Sequence, residues 1–226
     1  MRSARCRSTL GVLLLGASVV ACGAGAANVV PPAPRPGGHP AEGPASDALP
    51  APGIYELDPP HTFIVWSAQH HIVGAVRGRF DKIAGTLVVS QDTAACSVDV
   101  TIEAPSVSTQ NSVRDDDLRS PAFFDAAKFP TITYRGRGIR RSAAGWVMDG
   151  SLTIRGVSKV VPVEFTFRGV APAKTGKPQR VAFHGHADTR RADFSMTREL
   201  ADEVGPNSVG FDVGIEIDAE ALAKAQ

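Results

Sequence analysis

Cysteine is scarce in this chain. Only 3 of its 226 residues are cysteines, at positions 6, 22 and 96, which is too few for the disulfide framework that stabilises many small secreted domains. Cys96 has the same parity as Val98 and Val100 in an alternating segment. This pattern indicates a small buried apolar side chain rather than a nucleophile.

Catalytic motifs and an excess charge of either sign are missing as well. The sequence contains no Gly-x-Ser-x-Gly elbow, no His-Glu-x-x-His pair, no phosphate-binding P-loop and no dinucleotide fingerprint. Its 24 basic residues face 23 acidic ones, so there is no electrostatic argument for nucleic-acid binding. The chain is therefore predicted not to be an enzyme and not to have a nucleic-acid partner.

No apolar run near the N-terminus is long enough to span a membrane as a helix. The run at residues 10–20 is shorter than the about 20 residues that such a helix needs. Three arginines precede it, and Ala21 and Cys22 follow it. This order resembles a bacterial lipobox, so residues 1–21 are predicted to be a lipoprotein-type signal peptide and Cys22 the lipidated residue. The alternative is an ordinary signal peptide cleaved near the following Ala-Gly-Ala.

Residues 22–53 are rich in alanine, proline and glycine and contain few large apolar side chains. Such a segment buries too little apolar surface to fold by itself, and its prolines stiffen it locally. We expect a tether that holds the next domain off a membrane, to which two or more acyl chains on Cys22 give a firm anchor. The predicted location is the bacterial cell envelope, outside the cytoplasm, on the periplasmic side or the cell surface.

From Ile54 onwards, apolar and polar residues alternate in short segments separated by turn residues. About eight such segments predict an all-β domain over residues 54–221, folded as an antiparallel barrel with meander topology. A closed barrel has no exposed edges, and eight strands leave room for one slender ligand. Five glycines at inward positions are expected to bend the strands and leave space inside, with curvature alone as the alternative: Gly78, Gly85, Gly136, Gly150 and Gly185.

Residues 109–130 interrupt this alternation. Arg114, Asp115 and Leu118 have helical spacing, and the pair Phe123-Phe124 follows before Pro130. A short charged helix followed by an aromatic pair, between two strands, predicts a cover for one mouth of the barrel.

Several motifs, in order, resemble the YceI-like family over about residues 54–220. They are Asp58-Pro-Pro-His61-Thr62, Val76-Arg77-Gly78-Arg79-Phe80, Arg114-Asp115, Leu118-Arg119-Ser120, Phe123-Phe124-Asp125 and the stretch from Gly150 to Lys159. Arg190 and Ser195 depart from the family pattern, in which asparagine and glycine are usual. Both residues lie in one turn.

The resemblance implies an extended lipocalin-like barrel that binds or carries a long amphipathic lipid, such as a polyisoprenoid or a quinone. No other cofactor is expected. Ten inward apolar side chains are the candidates to line its tunnel, although composition alone favours a solid core: Ile64, Trp66, Val100, Ile102, Tyr134, Leu152, Val163, Phe165, Phe183 and Phe211.

Phe123 and Phe124 are expected to gate this tunnel. Four polar residues at family positions are candidates to contact the lipid head group, with a purely structural role as the alternative: His61, His70, Arg114 and Asp115. Two other functions stay open. One is an enzyme that acts on a lipid held in the barrel, using His70 or the Arg114–Asp115 region, and the other is a cell-surface interaction scaffold.

The outer surface of the barrel is predicted to carry a group of histidines with an aspartate and two apolar side chains. His184, His186 and Asp188 share one face of a strand and have the spacing of metal ligands, but that face points outward, where polar residues are expected, and no metal site is predicted. Phe63 and Val65 add apolar surface outside the barrel. Since relatives of this family are commonly dimers, a homodimer is the suggested assembly.

Overall fold

The computed structural model describes residues 48–71, 73–198 and 209–224. The predicted signal peptide at 1–21, the lipidated Cys22 and the tether up to residue 47 lie outside the described residues. No helix within the described part of the chain is long and apolar enough to cross a membrane.

Twelve strands and one α-helix make up the described structure. The helix, α1, spans Ser112–Arg119 and lies between the sixth and seventh strands. The strands are β1 Gly53–Leu57, β2 Phe63–His70, β3 Gly74–Phe80, β4 Ile83–Val89, β5 Ser97–Glu103, β6 Val107–Ser108, β7 Thr131–Arg137, β8 Arg140–Ser142, β9 Gly145–Ile154, β10 Val157–Ala171, β11 Arg180–Arg190 and β12 Val209–Ala223.

Eight of these strands form a closed antiparallel barrel. Their order around the ring is β1-β4-β5-β7-β9-β10-β11-β12, and pairing of β12 with β1 closes it. Alternation is clear along β11, where Phe183 and Ala187 point inward and the intervening His184 and His186 are partly exposed. The predicted antiparallel barrel of about eight strands with a short helical insertion is therefore confirmed.

The topology is the predicted meander, because each segment pairs with the next along the chain, but three of the segments are interrupted. Their halves are β1 and β2, β3 and β4, and β5 and β6, and the two halves of one segment pair with the two halves of the next. A turn that contains Pro59 and Pro60 separates β1 from β2, since proline has no N–H to continue a ladder. Residues 81–82 separate β3 from β4, and residues 104–106 separate β5 from β6. The halves β2, β3 and β6 pair with one another in that order, and β12 pairs with β2 through residues 209–218 as well as with β1.

At three of the five inward glycines, large side chains of neighbouring strands fill the space that was expected to be open. A Cβ atom on Gly78 would lie 2.3 Å from Cζ2 of Trp66, and one on Gly150 would lie 2.2 Å from Cζ of Tyr134. On Gly136 the nearest atom would be Sδ of Met148 at 2.4 Å. These glycines thus permit large inward side chains to lie flat against the barrel wall.

The insertion closes one end of the barrel. Asn111 caps α1 by accepting a hydrogen bond from the backbone N–H of Arg114. Arg155, in the turn between β9 and β10, donates from Nη1 to the carbonyl oxygens of Phe123 (2.8 Å) and Ser195 (3.0 Å). One guanidinium group therefore joins the β9–β10 turn, the segment after α1 and the turn after β11.

Candidate functional site

The barrel contains a cavity of about 460 Å³, a size typical of small-molecule sites. Its lining is mainly apolar and comes from inward side chains of most barrel strands. Nine of the ten predicted tunnel residues contribute to it, namely Ile64, Trp66, Val100, Ile102, Tyr134, Leu152, Val163, Phe165 and Phe183. The structure therefore has a hollow interior where composition alone allowed a solid core.

Phe211 is the exception, and its predicted inward position is corrected. The pairing of β12 with β2 shifts between Val209 and Val213, so a bulge interrupts the alternation from which its orientation was predicted. Its ring lies 5.7 Å from the guanidinium carbon of Arg190 and 5.9 Å from that of Arg191.

The two predicted gate residues lie in the cavity wall at the end that the insertion covers. Phe123 is buried, and the ring of Phe124 meets that of Phe80 edge to face, with centroids 5.6 Å apart. Both residues line the cavity. Their position is the one that a gate requires, and gating itself stays a prediction.

Polar groups gather at this same end. His70 and Arg114 line the cavity, as predicted for residues that meet a head group. Arg114 donates from Nε to Oγ1 of Thr109 (2.8 Å) and from Nη2 to the Thr109 carbonyl oxygen (3.1 Å). The sheet register places His70 opposite Val209. These two side chains come from β2 and from α1, which the sequence separates by about forty residues.

The other two head-group candidates lie outside the cavity lining. Asp115 is buried beneath α1 and accepts hydrogen bonds from the Thr109 N–H (2.8 Å) and hydroxyl (2.6 Å). Because Thr109 in turn holds Arg114, the contacts of Asp115 are structural, which was the alternative considered for it. His61 is exposed, and its Nδ1 lies 2.8 Å from a carboxylate oxygen of Asp58.

Sequence reasoning missed two polar groups at the α1 end. Nε1 of Trp66 is buried and has no hydrogen-bond partner among the described residues. Leaving such a donor unsatisfied costs about 1–3 kcal/mol, which an acceptor atom on a ligand would recover. The sequence did contain a sign of this group, because a tryptophan predicted to point inward carries one N–H that apolar neighbours cannot satisfy.

Arg191 is the second. It is buried, lines the cavity and donates to the carbonyl oxygens of Met196, Arg198, Val209 and Gly210 at 2.7–3.0 Å. It therefore connects the turn after β11 with the first residues of β12. Strand alternation did not identify Arg191, because it lies in the turn after β11.

The opposite end of the cavity is apolar, with Leu49, Ile139 and Met148 in its wall. The hydroxyl oxygen of Tyr134 lies 3.0 Å from the carbonyl oxygen of Met148 and 3.1 Å from that of Val161. Burial raises the pKa of Tyr134 well above its ordinary value, so the phenol stays neutral. The cavity consequently has a polar end beneath α1 and an apolar end at Leu49.

Comparison with known proteins gives matches over most of the chain. A family model described as YceI-like domain matches residues 55–221. The protein YceI of Salmonella newport is 30% identical over 159 residues, which are 70% of this chain and 81% of that relative. The UPF0312 protein YE1254 of Yersinia enterocolitica is 29% identical over 159 residues, which are 70% of this chain and 80% of that relative.

Three solved structures have a similar fold. The YCEI protein of Campylobacter jejuni is 29% identical, with a TM-score of 0.58, covering 70% of this chain and 90% of that one. BcnA of Burkholderia cenocepacia is 21% identical, with a TM-score of 0.59 and coverages of 73% and 98%. A polyisoprenoid binding domain from Saccharophagus degradans is 17% identical, with a TM-score of 0.59 and coverages of 75% and 98%. At their low identity, the last two are evidence for the fold alone.

Proposed function

Because this chain belongs to the family of YceI-like domains, we propose that it binds and carries a long amphipathic lipid, such as a polyisoprenoid or a quinone, inside its barrel. The observation that carries the proposal is the cavity inside the barrel, whose lining is mainly apolar and has its charged side chains near α1. A solved relative by fold is named as a polyisoprenoid binding domain, which agrees with this ligand class.

The two ends of the cavity determine how such a lipid would lie. Removing an apolar tail from water contributes roughly 25 cal/mol per Å² of buried surface, so the tail is most stable towards the apolar end at Leu49. The head group would then lie beneath α1, near His70, Arg114 and the unpartnered N–H of Trp66. Phe123 and Phe124 stand at the end through which the lipid would enter.

Binding without chemistry is favoured over an enzyme. Asp117 is the one carboxylate among the described residues of the cavity lining, and it forms an ion pair with Arg198. His70 therefore has no carboxylate beside it in that lining to orient it as a general base. We propose that the insertion contributes contacts to the bound lipid, and that the protein carries this lipid without altering it.

We also propose that the domain is tethered outside the cytoplasm through acyl chains on Cys22. This part of the proposal depends on the lipobox-like sequence at residues 19–22. Labelling of cells with a radioactive fatty acid tests it: the full chain should incorporate label, and the Cys22→Ala variant should not. Label that persists in that variant would contradict the anchor and leave the lipid-binding proposal untouched.

Native mass spectrometry of the purified full chain, followed by solvent extraction, tests lipid binding. We expect one co-purifying prenyl lipid per chain. Ile64→Trp, which fills the cavity, should abolish the adduct, whereas Ile54→Trp on the exposed outer surface should retain it. An adduct that survives Ile64→Trp, or a natively folded chain that takes up no prenyl lipid, would overturn the proposal.

A further inference from the structure

The outer wall of the barrel carries a chain of alternating carboxylates and imidazoles on β11 and β12. His184 lies opposite Asp218 in the register, and His186 lies opposite Glu216. In order, the groups in contact are Asp218, His184, Glu216, His186 and Asp188. The sequence shows His184, His186 and Asp188 on one face, but only the pairing of the strands brings Glu216 and Asp218 to them.

Glu216 occupies the centre of this group. Its Oε1 lies 2.8 Å from Nδ1 of His186, and its Oε2 lies 3.6 Å from Nε2 of His184. Ligand atoms bound to one tetrahedral zinc ion at about 2.0–2.1 Å are separated by about 3.3 Å. The two observed separations lie on either side of that value, and rotation of these exposed side chains is needed to bring both imidazoles and the carboxylate to a single ion.

The remaining ring nitrogens are already held by other carboxylates. Nδ1 of His184 lies 2.8 Å from Asp218, and Nε2 of His186 lies 3.1 Å from Asp188. Metal-bound histidines commonly use their second nitrogen in this way, which sets the tautomer and strengthens the ligand. With neutral imidazoles, three carboxylates give the group a negative charge that attracts a cation.

We propose that His184, His186 and Glu216 bind a divalent transition-metal ion such as zinc, with Asp218 and Asp188 orienting the two imidazoles and water completing the coordination. The site is on the outside of the barrel, because both imidazoles are about two-fifths exposed while the neighbouring Phe183 and Ala187 line the cavity. It is independent of the proposed lipid binding.

Other groups with similar ligands are less suitable. Asp58, His61 and Glu220 also lie close together, but the guanidinium group of Arg180 bonds to both of these carboxylates. The Arg180 guanidinium group thus already neutralises the two carboxylates that a metal ion would need. In the outer-wall group, the carboxylates are paired with imidazoles instead.

Isothermal titration of the EDTA-stripped full chain, purified without a polyhistidine tag, with zinc chloride in a magnesium-containing buffer tests the proposal. We expect one zinc ion per chain. The double variant His184→Asn with His186→Asn should lose this binding, and Glu216→Gln or Asp218→Asn should weaken it about tenfold. His61→Asn and His71→Asn are the matched controls and should bind like the parent chain.

Two results would overturn the site: no saturable zinc binding by the parent chain, or binding that survives the double variant and disappears with His61→Asn or His71→Asn. Thermal unfolding in EDTA verifies that each variant is folded. Glu216→Gln keeps both imidazoles, so it tests the site even if the double variant is unstable. Lipid adducts measured in parallel should be the same in all these variants, which separates a failure here from a failure of the lipid proposal.

Discussion

The side chain of Trp66 packs against the barrel wall and also presents a polar group to the cavity. Its ring lies against Gly78, where any larger residue would collide with it, and its indole nitrogen is buried without a partner among the described residues. The ring thus contributes apolar surface, and the N–H favours a ligand that brings an acceptor atom to the α1 end.

We expect Trp66→Phe to discriminate between lipids by their head groups. Loss of one hydrogen bond of about 1 kcal/mol should weaken binding of a prenyl lipid with a carbonyl head about fivefold, while a prenyl hydrocarbon of equal length binds as before. Competition with a fluorescent lipid measures both affinities. Equal losses for the two lipids would mean that Trp66 acts through packing alone.

Ser195 is a residue whose backbone is under local strain. It has a φ of 59°, in the left-handed region that favours glycine, at a position where this family usually has glycine. Ser195→Gly is therefore expected to raise the free energy of unfolding by about 1 kcal/mol, measured by urea denaturation. The control Ser158→Gly, at an exposed position in β10, should lower it. A destabilising Ser195→Gly would show that the strain is offset elsewhere.

At the scale of elements, α1 is held by a polar contact and not by a broad apolar face. Asp115 is its one buried residue, and it reaches the segment before the helix by binding Thr109 twice. Arg119, near the other end of the helix, donates to the carbonyl oxygens of Pro105 and Val107. Changes at these contacts should loosen the cover of the cavity before they unfold the barrel.

We predict that Asp115→Asn lowers the free energy of unfolding by about 1–3 kcal/mol. The neutral amide accepts the two hydrogen bonds from Thr109 less strongly than the buried carboxylate does. Asp116→Asn, at an exposed ion pair with Arg119, should change it by less than about 1 kcal/mol. Chemical denaturation measures both, and hydrogen exchange of α1 should accelerate in Asp115→Asn alone. Similar effects of the two variants would contradict the role assigned to Asp115.

Ion pairs connect the turn between β1 and β2 to β11 and β12. Asp58 bonds to Arg180 and His61, and Arg180 also bonds to Glu220. Burial alone would raise the pKa of Asp58, but the hydrogen bonds and charges of Arg180 and His61 outweigh it and lower that pKa. Because the folded state holds the charged form, the contribution is complete above the unfolded pKa of about 3.9.

This contribution should disappear as the pH falls through the lowered pKa of Asp58 in the folded state. The thermal midpoint of the parent chain is therefore expected to fall steeply on acidification below about pH 4. In Asp58→Asn the midpoint should be lower at neutral pH and fall less over the same interval. Parallel curves for the two proteins would show that other carboxylates cause the acid sensitivity.

At the scale of the whole molecule, the outer surface leaves apolar residues uncovered. Phe63 is 43% exposed on β2, and Val160 is 75% exposed on β10. We propose that Phe63 and its neighbour Val65 form the contact of a homodimer. Sedimentation velocity should show a dimer that Phe63→Glu converts to monomers, while Val160→Glu has no effect. A monomeric parent chain would contradict this assembly.

Several parts of the architecture could be predicted because they depend on local rules. Strand alternation predicted a barrel of about eight strands, and helical spacing placed α1 within the insertion. The same alternation placed nine of the ten tunnel residues inside. It failed at Phe211, because a bulge in β12 depends on how the strand pairs with β2. It predicted the meander but not the interruption of three of its segments, which only the pairing with neighbouring strands reveals.

By itself, the sequence determined the class of fold, the family and the apolar character of the interior, since period-2 patterns and ordered motifs are local properties of the chain. Only the tertiary structure decided what depends on distance between remote segments. It placed Arg114 and His70 at one end of the cavity, kept Asp115 and His61 out of its lining, and brought Glu216 and Asp218 beside two histidines of β11. The physical reason is that strand register and packing, and not sequence spacing, determine which side chains meet.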